Sequence, residues 1–160
     1  LDTRRHGFPV AIENWEHDFN IGTVVRNANA FLAAAVHISG PHRWDRRGAM
    51  STHRYLHLHH HADVATFARW AREQDLPIVA IDNVEQSVPI ETTPLPERCV
   101  LLFGQEGPGL SPAALDASAV VCGITQYGST RSLNAGVASG IAMYAWATAN
   151  AAHDSGGPDR

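Results

Sequence analysis

Three short stretches bring together residue types that can do chemistry. Asn20, Gly22 and Arg26 lie in NIGTVVR, Gly104, Glu106 and Gly107 in GQEGPGLS, and Ser132, Leu133 and Asn134 in RSLN. Arginine is a permanently charged, donor-only fork that suits phosphates and developing oxyanions. A glycine loop directly behind the apolar run CVLLF lets backbone amides approach a ligand closely. Glu106 is the one carboxylate in that loop.

The loop is not one of the common phosphate cradles. Gly104 to Ser111 follows the spacing G-x-x-x-x-G-K-[ST] except that Leu110 stands where the lysine belongs. That lysine carries the charge on the terminal phosphates, and the chain contains no lysine at all. Nucleoside triphosphate hydrolysis is therefore excluded as a reading. The dinucleotide pattern G-x-G-x-x-G belongs between a first strand and its helix, and GQEGPG sits far later, so hydride chemistry is also demoted.

A second polar concentration is PHRWDRRGAMSTHRY, where Arg43, Arg46, Arg47 and Arg54 fall beside His42, His53, Trp44 and Tyr55. Guanidinium groups pair with phosphates and stack on bases, and aromatic rings stack as well, so this segment is a candidate RNA-facing patch. The alternative is a solvated loop. The net charge of −4 and pI near 6.2 argue against a non-specific nucleic-acid coat protein. His57, His59, His60 and His61 invite a metal reading, but consecutive residues rarely close a tetrahedral site alone, and partly exposed strand histidines account for them better. No metal is expected.

The elements that must position these groups are legible in the hydrophobic pattern. GFPVAIEN, AAVHISG, LPIVAID, CVLLFG and AVVCGI read as strands, with RYLHLHHH a weaker one. A helix begins at Asn20, with Ile21, Val24, Val25, Ala28, Phe31 and Leu32 at helical spacing. ADVATFARWAREQD is amphipathic through Val64, Phe67, Ala68 and Ala71. SPAALD starts a short helix with Ser111 as N-cap and Pro112 in its first position. SLNAGVASGIAMYAWATANAA is the long last helix, and VEQSVPIETTPLPER is too rich in proline to be a central strand. Alternating strands and helices, with strands apolar on both faces, predict an α/β domain with a mostly parallel sheet flanked by helices.

The chain's 160 residues suit one domain, 1–160 with a core of about 8–150, and no separate RNA-binding domain is visible. Cys99 and Cys122 lie in apolar runs, as reduced buried thiols of a cytoplasmic protein do. The stretch from Ala135 to Ala152 is interrupted by Ser139, Thr148 and Asn150 and reads as a packed helix, so no membrane partner is expected. The sequence starts without Met, which leaves room for an N-terminal extension.

Taken in order and at these separations, the three polar stretches resemble motifs 1, 2 and 3 of the SpoU/TrmH-type RNA 2′-O-ribose methyltransferases of the SPOUT superfamily. The resemblance runs from about Val10 to Trp146. It implies a C-terminal deep trefoil knot, which nothing in periodicity or composition can predict. It also implies S-adenosylmethionine as methyl donor and a tRNA or rRNA substrate.

By the same resemblance the protein is a homodimer built on its first and last helices, for which Gly136 and Gly140 allow close approach; packing within the chain is the alternative use of those glycines. Cofactor contacts are assigned to Gly104, Ile124 and Leu133, with Gly107 and Leu102. Arg26 takes the position that activates the ribose hydroxyl, and Asn20, Glu106, Ser132 and Asn134 match the supporting polar residues. A free guanidinium is a poor base, so proton acceptor, phosphate clamp and alkoxide stabiliser all stay open for Arg26. Many relatives read I-P-M where this chain has Ile124, Thr125 and Gln126, which places polar atoms near the cofactor pocket. An inactive RNA- or cofactor-binding relative is the alternative reading.

Overall fold

A computed structural model describes residues 2–14, 20–105, 107–130 and 132–151. Its framework is one seven-stranded parallel sheet in the order β3-β2-β1-β6-β4-β7-β5. The strands are β1 (Val10–Glu13), β2 (Val36–Ser39), β3 (Leu58–His61), β4 (Ile78–Ile81), β5 (Val88–Pro89), β6 (Val100–Phe103) and β7 (Val120–Gly123). Every residue of β1, β2, β4 and β6 is buried, as strands covered on both faces require. The weak strand β3 and the proline-containing β5 occupy the two edges, where an exposed strand and a missing N–H are tolerated.

Helices cover both faces. α1 (Asn20–Ala30) and α4 (Ala135–Asn150) lie over Val10, Ile12, Ile38, Leu101 and Phe103, burying Ile21, Val24 and Val25 from α1 and Met143 and Trp146 from α4. α2 (Val64–Glu73) and α3 (Pro112–Asp116) lie over Ala11, Ala80, Val100 and Leu102 with Phe67, Ala71 and Ala114. Trp146 packs at a tilt on Phe8, with ring centroids 4.2 Å apart, and donates from Nε1 to Pro96 O at 3.0 Å, which ties the end of α4 to the proline-rich connection. Among the described residues no helix is long and apolar enough to cross a membrane.

Some boundaries differ from the pattern reading. α1 stops at Ala30, because Leu32 adopts a left-handed conformation (φ 51°) and Ala33 N–H bonds back to Ala28 O at 2.9 Å, closing the helix and turning the chain toward β2. Arg54 and Tyr55 belong to a 3-10 turn (Thr52–Tyr55) rather than to the third strand. Ser132, Leu133 and Asn134 precede α4 instead of forming its first turn, since the Asn134 side chain caps the helix by accepting from Gly136 N and Val137 N. The cap on α3 (Ser111, with Pro112 following) matches its sequence signature, and Asp63 caps α2 by accepting from Thr66 N.

Candidate functional site

Parallel strands all point their carboxyl ends one way, and the connections leaving β4, β6 and β7 meet there around a cavity of about 350 Å³. Gly104 and Gly107 after β6, Ile124, Ser132 and Leu133 after β7, and Asp82 and Asn83 after β4 all line it, so residues from all three connections share one wall. Leu102 does not. It is buried on the opposite sheet face in the cluster that holds Phe67 and Ala114. Glu106 lies outside the described residues.

The glycine loop is folded back on itself and anchored to β4. A Cβ on Gly104 would stand 2.4 Å from the Gly109 carbonyl carbon, so only glycine permits this crossing. Gly109 N donates to Gln105 O at 3.0 Å, and Leu110 N donates to Asp82 Oδ2 at 3.0 Å. Asn83, the next residue, grips Ile124 from both sides: Ile124 N donates to Asn83 Oδ1 at 2.9 Å, and Asn83 Nδ2 donates to Ile124 O at 3.2 Å. Asp82 and Asn83 were not singled out from sequence. Their signal is two polar side chains directly after the apolar strand IVAI, at the end of the sheet where ligands bind.

Past Ile124, Thr125 Oγ1 donates to the Glu91 carboxylate, and that hydrogen bond is the main reason the Glu91 pKa falls below the usual range. Gln126 lines the cavity, and its Oε1 is buried with no hydrogen-bond partner among the described residues.

The helix carrying Arg26 is locked to α4 beside this cavity. Asn134 Nδ2 donates to Asn20 Oδ1 at 2.9 Å, and Asn27 Nδ2 donates to Gly136 O and Ser139 Oγ, each at 2.9 Å. A Cβ on Gly136 would come within 2.6 Å of Thr23 Cγ2. The small residues of α4 thus serve close packing inside the chain, with Gly136 and Gly140 both facing α1. Arg26 is exposed on α1 and has no ion-pair partner among the described residues.

Gly22, the glycine of NIGTVVR, explains how the arginine-rich segment reaches α1. A Cβ there would meet Ala49 N at 2.7 Å and Gly48 Cα at 2.8 Å, so the turn at Arg47–Ala49 packs straight onto the helix backbone. Asn14 Nδ2 holds the start of the same segment through Pro41 O (2.7 Å) and Arg43 O (3.1 Å). Arg43, Arg46, Arg47 and Arg54 are all exposed, and Arg46 lies 5.9 Å from the Trp44 ring centroid. Arg47 is already engaged: its Nη2 lies 2.6 Å from Asp45 Oδ2, and its side-chain hydrogen bonds hold the Asp45 carboxyl below the usual range.

The strand histidines sort as alternation requires. His59 and His61 stack on the buried His37, with His37 Nδ1 and His61 Nε2 2.8 Å apart, while His60 faces the other way and stacks on His42. Burial first, then the neighbouring His59 and His61, push the His37 pKa down to about 3. Among the described residues no group of three or more His, Cys, Asp or Glu could hold a metal ion. Cys99 and Cys122 are free and buried, and burial raises both thiol pKa values, Cys99 to about 12.

In this chain a parallel α/β sheet carries a glycine loop, a last strand end and an α4 entry that close on one cavity, beside an arginine-bearing helix. The chain belongs to the SpoU rRNA Methylase family, whose model matches residues 7–144. It is similar to an AdoMet-bound rRNA methyltransferase from Sinorhizobium meliloti, with 25% identity and a TM-score of 0.79 over 90% of this chain, and it spans 57% of that protein's length. A protein whose structure bears on 2-OH methylation of C/U34 on tRNA is 26% identical, with a TM-score of 0.77 over 89% of this chain and 95% of its own. The TrmH/SpoU tRNA modifying enzyme of A. aeolicus, 21% identical, shares the fold with a TM-score of 0.79 over 89% of this chain and 75% of its own. A comparison with curated proteins gave no match.

Proposed function

We propose that this chain is a single methyltransferase domain that moves the methyl group of S-adenosylmethionine to a ribose 2′-hydroxyl of tRNA or rRNA, as a cytoplasmic homodimer. The observation that carries this is the convergence of Gly104, Ile124, Ser132 and Leu133 on one cavity that the Asn20–Asn134 bond couples to the helix of Arg26. The C-terminal knot of the family is part of the same reading.

The cavity fits the donor. Its volume is in the range of small-molecule sites, and its wall combines apolar side chains (Phe103, Leu110, Ile124, Leu133) with the polar Asp82 and Gln126. A nucleoside with few charges calls for such a mixture, and the buried Gln126 Oε1 lacks a donor that such a ligand carries. The bound group supplies an electrophilic methyl on a sulfonium.

The protein's own part is positioning. Alignment of reacting groups is worth about 7–11 kcal/mol, against about 10²–10⁴-fold for a placed base. Asp82 and Asn83 set the two loops, Asn134 sets the entry of α4, and Arg26 presents an exposed guanidinium to a phosphate or a developing alkoxide. Ser132 is the exposed hydroxyl at the cavity wall. Glu106 is assigned to the same site by its place in the glycine loop.

The dimer reading is supported by α4, whose outer face exposes Val137 (53%), Ile141 (37%) and Tyr144 (62%) at successive turns. RNA binding is assigned to Arg43, Arg46, Arg47 and Arg54. An inactive relative is not favoured, because Asn20, Arg26, Ser132 and Asn134 all keep side chains able to do the work.

The test is methyl transfer from labelled S-adenosylmethionine to a cellular RNA pool, with nucleoside mass analysis of the product. A 2′-O-methyl nucleoside is expected, and Arg26→Ala should lower the rate at least about 100-fold while leaving cofactor affinity in place. No transfer to any RNA, or an undiminished rate in Arg26→Ala, would overturn the proposal.

A further inference from the structure

The segment leaving β7 is held so that Gln126 is delivered to the cavity. Asn83 saturates the backbone of Ile124 in both directions, and Thr125 Oγ1 is turned outward onto Glu91, leaving Gln126 as the next side chain to reach the wall. Its Oε1 is buried and accepts no hydrogen bond among the described residues.

Three N–H donors of other residues lining the cavity are committed elsewhere: Leu110 N–H goes to Asp82, Gly109 N–H to Gln105 O, and the Asn83 amide to Ile124. An amide acceptor buried without a partner is costly to keep, and it is kept where a ligand completes it. The adenosyl group carries three donors that could do so: the exocyclic amine and the two ribose hydroxyls.

Resting on the reading of the cavity as the S-adenosylmethionine site, we propose that Gln126 Oε1 is a specificity-determining acceptor for a hydrogen-bond donor of the adenosyl group. A site built to receive a donor discriminates strongly against ligands that lack it, because its own polar atom is then left unpaired. Gln126 therefore separates adenosyl ligands by their donors, and apolar packing alone does not.

The experiment is calorimetric binding of S-adenosylhomocysteine and three analogues to the full chain: one lacking the 6-amino group, one lacking the 2′-hydroxyl and one lacking the 3′-hydroxyl. Wild-type protein should lose about 10-fold or more in affinity for one of the three. Gln126→Met, which keeps length and removes the acceptor, should bind the parent about 10-fold more weakly and bind that one analogue as well as the parent. Gln126→Glu, which retains an acceptor, should keep the discrimination.

The free Gln126→Met protein should melt no lower than wild type, since it loses an unpaired buried oxygen. Equal parent affinity in wild type and Gln126→Met, or the same analogue preferences in both, would overturn the proposal while leaving the cofactor reading intact. Failure of the wild-type protein to bind S-adenosylhomocysteine at all would overturn the cofactor reading itself and this inference with it.

Discussion

Asn134 and Asn20, 114 positions apart, are joined by a 2.9 Å hydrogen bond from Asn134 Nδ2 to Asn20 Oδ1. The other end of the same amide caps α4 through Gly136 N and Val137 N. One side chain thus sets where the last helix starts and holds the first turn of the helix that carries Arg26. Asn134→Ala should cost about 1–3 kcal/mol, the sum of a lost cap and a lost side-chain bond. Asn134→Asp keeps the cap acceptor but cannot donate to Asn20, so it should recover part of that loss. Urea unfolding of both variants tests this, and equal stabilities for the two would contradict the double role.

Gly22 lies against backbone, with Ala49 N and Gly48 Cα both closer than 3 Å to where a Cβ would stand. Backbone cannot yield as a flexible side chain does, so Gly22→Ala should destabilise by about 1–3 kcal/mol despite the better helix propensity of alanine. Gly128, which has open space around it, should accept alanine with little change. If Gly22→Ala melts with the wild type, the turn at Arg47–Ala49 does not need this close approach.

Among the four arginines of the proposed RNA patch, Arg47 is the one whose fork is already closed on Asp45. Replacing Arg43, Arg46 or Arg54 with Ala should weaken RNA binding and flatten the plot of log affinity against log salt by about 0.7 for each phosphate contact removed. Arg47→Ala should change the slope less, because a carboxylate already occupies its charge. A triple variant at 43, 46 and 54 with an unaltered slope would remove these residues from the RNA interface.

The buried His37 gives stability a pH dependence with a definite sign. Its folded pKa is about 3 against 6.5 when unfolded, so between those values the unfolded chain binds the extra proton. This contribution is fully present above about pH 6.5 and is lost progressively as the pH drops below it, until about pH 3. His61, also lowered by burial, acts in the same direction. Urea midpoints measured from pH 7.5 to 5 should fall, and His37→Gln should flatten that fall. An unchanged pH profile in the variant would assign the acid sensitivity to other groups.

Local grammar was enough for much of this molecule. The strands β1, β2, β4 and β6 announce themselves as short apolar runs, α2 by the spacing of Val64, Phe67, Ala68 and Ala71, and α3 by Ser111 and Pro112, because each of these signals depends on neighbours a few residues apart. The three polar stretches could be paired with a family for the same reason: their spacing is written along the chain. Tertiary structure alone decided that β6 runs between β1 and β4, that Thr23 and Asn27 interlock with Gly136, and that Asp82 and Asn83 hold the loops.

It also decided that Leu102 turns away from the cavity while Leu101 and Leu102 look alike in sequence. A strand apolar on both faces carries no alternation to say which side chain points where. Strand order and helix seating are set by which large surfaces can be buried together, and that sum is taken over residues far apart in the chain.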